Sequence, residues 1–363
     1  MFRTILLGLF FFGLVNAYAD ELKPRNQSLV GGLSVNQRLN DDVSYSWTTI
    51  KPFLSYKASS EKFRTTALIA VLYNRIENAW IINKKYELIG GFETLITIAG
   101  DEPRVDGISL DAYNFKGHRF DTYLGAGYRN TDLSLYGKFF YDLKIYNFYS
   151  VSSNASFVRP GNFLEHGPAV LLQYNGGNSP SEILDSGLRS TLYATYKWRG
   201  HQRPWGAAVF TLDADKFLKA SWGFVENYKF SEKVTGVVKA QVSYVSSVDR
   251  LNAIKDGNLF QEGLGLLVSD IRADRAATFE AGPRFKLPTN YKFFLRPFVH
   301  GITYREITPT RFRNDTGYGT GLKAMGMSGS KLFWEVTYAN LFGNRADIKS
   351  LHEMSARLTY SWF

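Results

Sequence analysis

The sequence predicts an all-β fold, a transmembrane, antiparallel, up-and-down β-barrel of about 16 strands within a range of roughly 14–18. Three observations carry this expectation. Apolar and polar residues alternate with period two through much of the chain. The alternating segments outrun ordinary strands. Aromatic residues, 16% of the chain, gather toward the segment ends rather than spreading evenly.

The clearest segment is 133–145, LSLYGKFFYDLKI. Leu133, Leu135, Gly137, Phe139, Tyr141, Leu143 and Ile145 share one face. Ser134, Tyr136, Lys138, Phe140, Asp142 and Lys144 share the other. At a rise of ~3.3 Å per residue this is roughly 43 Å, enough for a tilted membrane crossing and an extension beyond it. Leu188, Leu192, Ala194, Tyr196 and Trp198 alternate in the same way with Arg189, Thr191, Tyr193, Thr195 and Lys197. So do Val234, Val238, Val242 and Tyr244 with Thr235, Lys239 and Ser243, and Phe279, Pro283 and Phe285 with Glu280, Arg284 and Lys286. Near the end, Leu332, Trp334, Val336 and Tyr338 alternate with Phe333, Glu335 and Thr337.

Short turns at Glu61, Thr131-Asp132, Ser231-Glu232 and Thr289-Asn290 separate such segments, as do longer stretches rich in Gly, Asn and Pro at 149–163, 175–186, 247–258 and 307–316. Short turns on one side and longer loops on the other suit a membrane barrel. A soluble sandwich or β-helix would have shorter strands without aromatic ends. One barrel domain is expected over 20–363.

The first residues, MFRTILLGLFFFGLVNAYAD, place Arg3 before an apolar run and Ala17-Tyr18-Ala19 after it. This reads as a signal peptide, 1–19, cleaved before Asp20. Removing Arg3 takes the net charge from +10 to +9. With no cysteine, disulfides and thiolate chemistry are excluded. Mean hydropathy is −0.20 and no later run approaches the ~18 apolar residues of a helical span.

The terminal segment RLTYSWF, Arg357 to Phe363, completes the pattern. Met354, Ala356, Leu358, Tyr360 and Trp362 would face lipid, with Ser355, Arg357, Thr359 and Ser361 inward. A leader followed by strands that end on an aromatic one resembles the outer-membrane β-barrel proteins of Gram-negative bacteria, porin-like in type. Phe363 departs from that pattern, being one residue out of phase with Trp362, Tyr360 and Leu358. The resemblance implies an outer-membrane location, contact with lipid and lipopolysaccharide, and delivery by periplasmic chaperones and the barrel-assembly machinery. It implies no nucleic-acid partner and no cofactor.

The inferred inner face is basic: Arg119, Arg129, Lys138, Lys144, Arg189, Lys197, Lys219, Lys239, Arg284, Lys286 and Arg296, against Asp121, Asp142, Glu280 and Glu335. Fixed cations between low-dielectric walls concentrate anions. The expected function is passive diffusion of small, preferentially anionic solutes, with Lys138, Arg189, Lys197, Lys239, Arg284 and Arg296 lining the pore as a group. Either 149–163 or 247–258 could narrow it. The same charges could instead form an internal network that plugs the barrel.

Two other classes stay open. An insertase or secretion-type barrel, or an exporter of anionic polysaccharide, would use the same wall; such barrels carry an Arg-Gly-aromatic loop motif, and the one WRG here (198–200) is followed by His201. A barrel enzyme or a structural or receptor barrel is the other class. His166 and His300 lie in strands, but no HExxH, GxSxG or phosphate-cradling loop with a Lys accompanies them, so no enzyme is expected. No metal site is expected either, there being no Asp-rich calcium loop.

Overall fold

The computed structural model describes residues 26–38, 48–71, 73–99, 104–105, 108–109, 115–132, 134–151, 157–158, 160–176, 186–200, 205–207, 210–212, 214–249, 251–255, 272–288, 292–307, 312–329, 331–343 and 351–362. The expected signal peptide and Phe363 lie outside the described residues.

Sixteen long strands follow one another: β1 (Asn26–Arg38), β2 (Thr48–Ser59), β3 (Phe63–Ala70), β4 (Tyr73–Ile81), β5 (Tyr86–Ala99), β6 (Phe115–Arg129), β7 (Leu135–Val151) and β8 (Phe163–Gly176). After them come β9 (Gly187–Gly200), β10 (Lys216–Lys229), β11 (Val234–Val245), β12 (Arg272–Lys286), β13 (Lys292–Ile307), β14 (Phe312–Ser328), β15 (Leu332–Gly343) and β16 (Leu351–Ser361). Each pairs antiparallel with the next, and β16 returns to β1, with Val30 opposite Ser361 and Arg38 opposite Glu353. The ring is closed, so no edge strand offers unpaired backbone groups to lipid.

The alternation read from the sequence sets which face is which. On β7 the exposed Phe139, Tyr141 and Ile145 point outward, while Lys138 and Asp142 are buried inside. On β16, Met354, Leu358 and Tyr360 are exposed and Thr359 is buried, with Trp362 just past the strand also exposed. On β12, Phe279 and Phe285 point out and Glu280 and Arg284 in. An apolar exterior with an inward polar face is the arrangement lipid imposes on a strand.

Both described chain ends and most short connections (60–62, 82–85, 130–134, 230–233, 287–291, 329–331) share one rim, here the chain-end rim. In the turn 130–134 the Asp132 carboxylate accepts hydrogen bonds from the Ser134 N–H at 3.1 Å and its hydroxyl at 2.9 Å, which hold its pKa below the usual carboxylate range. The opposite, long-loop rim carries the connections 39–47, 100–114, 152–162, 201–215 and 246–271. A small three-stranded sheet, in which Phe157 and Val158 pair with Ala207 and Gly206 and Trp205–Ala207 pairs with Phe210–Leu212, and a two-stranded one of 104–105 and 108–109 decorate these.

The stretch 307–316, expected as a loop, is mostly strand. β13 runs through Ile307 and β14 starts at Phe312, because Arg313 turns inward and bridges Glu306 at 3.1 Å and Asp315 at 2.7 Å across and along the ladder. A register shift between Ala273 and Arg275 in β12 buries two successive residues, Ala273 and Asp274, breaking strict alternation there.

Closure gives a direct test. Val35 and Ala356 are register partners between β1 and β16, and facing Cβ atoms in such a pair lie about 4.5–5.5 Å apart. A Val35→Cys, Ala356→Cys double variant, in a chain with no cysteine of its own, is expected to form an intramolecular disulfide on oxidation once folded. Shifting one site by a residue should abolish it. Absence of the bond in the folded double variant would refute the β1–β16 seam.

Candidate functional site

A ring of sixteen strands is wide enough to hold an aqueous channel, and the inward face decides how much of that width remains. Around β11–β15 the charges pair off. Lys239 Nζ lies 3.3 Å from Glu280 Oε1, and the Arg296 guanidinium binds the same oxygen closely while lying 5.4 Å over the Phe298 ring. Lys323 reaches Glu335 at 3.6 Å, and the Arg284 guanidinium lies 5.6 Å over Phe294. Arg296 and Lys323 have no solvent exposure and Arg284 only 2%. A charge so enclosed requires a partner, since burying it alone costs several kcal/mol or more.

A second network rises from β7, β8 and β9 toward the long-loop rim. Lys197, fully buried, binds the Asp142 carboxylate and donates to the Gly167 carbonyl at 3.0 Å. Gly167 adopts φ 151°, and a Cβ there would collide with the Tyr196 carbonyl, so only glycine brings that oxygen to the lysine. Lys144 sits 3.5 Å from Glu165. Glu165 accepts from Arg199 Nε at 2.7 Å, and the Arg199 guanidinium is stacked between Phe163 at 5.1 Å and Phe217 at 4.8 Å.

Arg199 holds the narrowing element. Its other side binds Asp249, in the β11–β12 connection, with neither side chain exposed. Asp249 Oδ1 also accepts the N–H groups of Leu251 at 2.8 Å and Asn252 at 3.0 Å, while Asn252 Oδ1 accepts the Asp249 N–H at 2.8 Å. Lys219 Nζ donates to the Asn252 carbonyl at 3.2 Å. Ala253 and Ile254 are buried, and Ile254 joins Phe217, Phe298, Ile302 and Tyr304 in an apolar cluster of the interior. Residues 246–249 and 251–255 therefore fold into the barrel; in the other loop expected as a constriction, 149–163, residues 152–156 and 159 lie outside the described residues.

Space remains at the chain-end rim. A cavity of about 440 Å³ is lined by Arg64, Arg75, Glu77, Arg129, Tyr136, Lys138, Leu171, Gln173 and Asn175. Glu77 receives Lys138 Nζ and the Tyr123 hydroxyl, each at 2.6 Å, and Arg75 at 2.9 Å. Arg75 Nε also lies 3.3 Å from Glu93. Glu87 receives Arg64 and the Tyr136 hydroxyl, both at 2.8 Å. Two guanidinium groups approach the Tyr136 ring, Arg129 at 5.3 Å and Arg64 at 5.9 Å from its centroid. Arg129 forms no ion pair among the described residues.

Of the six cations expected to line the pore, five are buried and spread over these networks: Lys138 at the cavity, Lys197 beside Asp142, and Lys239, Arg284 and Arg296 in the β11–β13 wall. Arg189 is exposed near the chain-end rim, opposite Asn175, without an ion pair among the described residues. Of their counter-charges, Asp142 and Glu280 stand on the inner face expected from the sequence and Glu77 was missed; sequence reasoning also missed Glu87, Glu165, Glu306 and Asp315, which pair with other inward cations, and did not single out Arg199 as an anchor. Alternation with Phe163 and Gly167 could have placed Glu165 inward.

A closed ring with an apolar exterior and a charged interior defines a membrane-spanning β-barrel. No family model matches the chain and no curated protein matches it. Among solved structures it overlaps CdiB from Acinetobacter baumannii with a TM-score of 0.60 and 10% identity, over 92% of this chain and 60% of that one. BamA from Haemophilus ducreyi lacking POTRA domains 1-3 gives 0.59 and 8%, over 93% and 70%. The outer membrane protein OprD from Pseudomonas aeruginosa gives 0.48 and 12%, over 94% and 96%. At these identities the likeness is one of fold. The chain spans about three fifths of the length of CdiB.

Breaking the anchor should release the loop. In a background carrying Ala253→Cys as reporter, Asp249→Ala leaves Arg199 with Glu165 and the Ala214 carbonyl and should weaken the attachment of the loop by about 3–5 kcal/mol. Maleimide labelling of residue 253, 1% exposed with the anchor intact, is expected to accelerate at least about tenfold. Equal labelling with and without Asp249 would show that the pair does not hold the loop.

Proposed function

We propose that this barrel is a passive outer-membrane channel for small, preferentially anionic solutes, narrowed on its long-loop side by residues 246–255. The observation that carries the reading is the position of the unpaired cations. Most inward charges elsewhere have a partner, Arg357 having only the Phe53 ring, while Arg129 and Arg189 stand beside open space at the chain-end rim without a carboxylate among the described residues. In an outer-membrane barrel the rim with short turns faces the periplasm, so a solute would meet the narrowed segment first and the basic vestibule second. Low-dielectric walls strengthen the field of those guanidinium groups on a passing anion.

The reading needs no catalytic group. His166 and His352 each engage a tyrosine hydroxyl on the outer face, Tyr141 at 2.5 Å and Tyr338 at 2.6 Å, and His300 Nε2 meets the Asn340 carbonyl at 2.7 Å inside. A second reading, an insertase or secretion-type barrel, is favoured by the overlap with CdiB and BamA and by the loop held inside the ring.

Single-channel recording of refolded protein under a salt gradient separates the two. A small sustained conductance with chloride favoured over potassium is expected. Arg129→Glu with Arg189→Glu should turn that preference toward cations, and deleting 247–255 should raise the conductance severalfold. Lys239 is a poor choice for reversal, since a glutamate there would face Glu280. A folded barrel that stays silent even without the loop would overturn the channel reading.

A further inference from the structure

The chain-end cavity has the composition of a binding site. Its surroundings contain five cations, Arg64, Arg75, Lys138 and Arg129 in the lining and Arg189 beside it across the β8–β9 ladder. Three carboxylates, Glu77, Glu87 and Glu93, are engaged by the first three of these. Two guanidinium charges are left over, Arg129 and Arg189. Tyr136 fixes Arg129 by stacking, which presents a planar fork at little further entropic cost. The side chains of Gln173 and Asn175 add amide donors and acceptors along the β8 wall between the two arginines.

We infer that this cavity binds a phosphate monoester of a small hydroxylated compound. The surplus of two positive charges matches a monoester, whose charge approaches −2 above its second pKa of about 6. Arginine forks suit its oxygens in paired hydrogen bonds. The amides suit hydroxyl groups on the attached body, and about 440 Å³ falls in the range of small-ligand pockets, roughly 300–1,000 Å³. The site faces the lumen, so soluble esters reach it and bilayer headgroups do not. The inference rests on the lumen being open to solutes from the chain-end rim and deepens the channel reading by naming the class of anion held there.

The test is titration calorimetry on the refolded, detergent-solubilised full barrel with ribose 5-phosphate, ribose and succinate near pH 7.5, with folding of each variant checked by heat-modifiable gel mobility. Saturable binding of ribose 5-phosphate is expected, with no detectable heat from ribose and weaker binding of succinate. Arg129→Gln should weaken the ester about tenfold or more and Arg129→Lys less, a point charge replacing a fork. Lys233→Gln, at an exposed position in the turn 230–233 on the same rim, should leave it unchanged. No ester binding, equal binding of ribose or succinate, or equal loss in Lys233→Gln and Arg129→Gln would each overturn the site. Bilayer conductance reports separately: a silent barrel that still binds the ester removes the channel reading and leaves the site, whereas an anion-selective barrel that ignores the ester does the reverse.

Discussion

Lipid on the outside is the constraint from which the rest of this molecule follows. It forces every strand to present apolar residues outward and closes the sheet so that no backbone group is left unpaired. The polar half of each strand is thereby confined to the lumen. There the charges are too enclosed to be solvated one by one, as the absence of exposure at Lys197, Arg296 and Lys323 makes plain. They are stabilised by each other and by aromatic faces: Lys197 by Asp142, Arg296 by Glu280 and Phe298, Arg199 by two carboxylates and two phenyl rings. The strand-to-strand pairs run along the wall, between adjacent or next-but-one strands, and the element drawn inward is the loop that Asp249 ties to Arg199.

The fold was legible because period two is a local property. Residues 133–145 and 354–362 announce their faces without reference to any other part of the chain, and the inward placement of Lys138 or Thr359 follows from that alone. The site was legible only in part, because pairing is a property of register between strands. Nothing in the stretch 73–81, YNRIENAWI, with its weak alternation, says that Glu77 will meet Lys138, 61 residues away. The basic character of the lumen was overestimated for that reason: the cations sit in strongly alternating segments and are easy to see, while several of their carboxylates sit in segments of weaker pattern or, like Asp249, in a connection. Arg199 was visible only as part of a WRG triplet; its role comes from a loop that folds back 50 residues later.

The same components produce a filled half and an open half, and the difference lies in what the aromatic residues do. Toward the long-loop rim, Phe163 and Phe217 sandwich Arg199 and carry no polar group, so both sides of the guanidinium are free to take carboxylates, and the loop supplies the second one. At the chain-end rim the corresponding residues are tyrosines. The Tyr123 and Tyr136 hydroxyls donate to Glu77 and Glu87 and hold these carboxylates against the β4–β5 wall. Tyr123 can lie flat there because its cross-strand partner is Gly91, where any Cβ would occupy the position of its ring. With the carboxylates tied back by phenols as well as by Arg64, Arg75 and Lys138, none of these acids is left to cross the lumen to Arg129. The wall stays apart, the guanidinium on Tyr136 faces space, and no carboxylate among the described residues cancels its positive field.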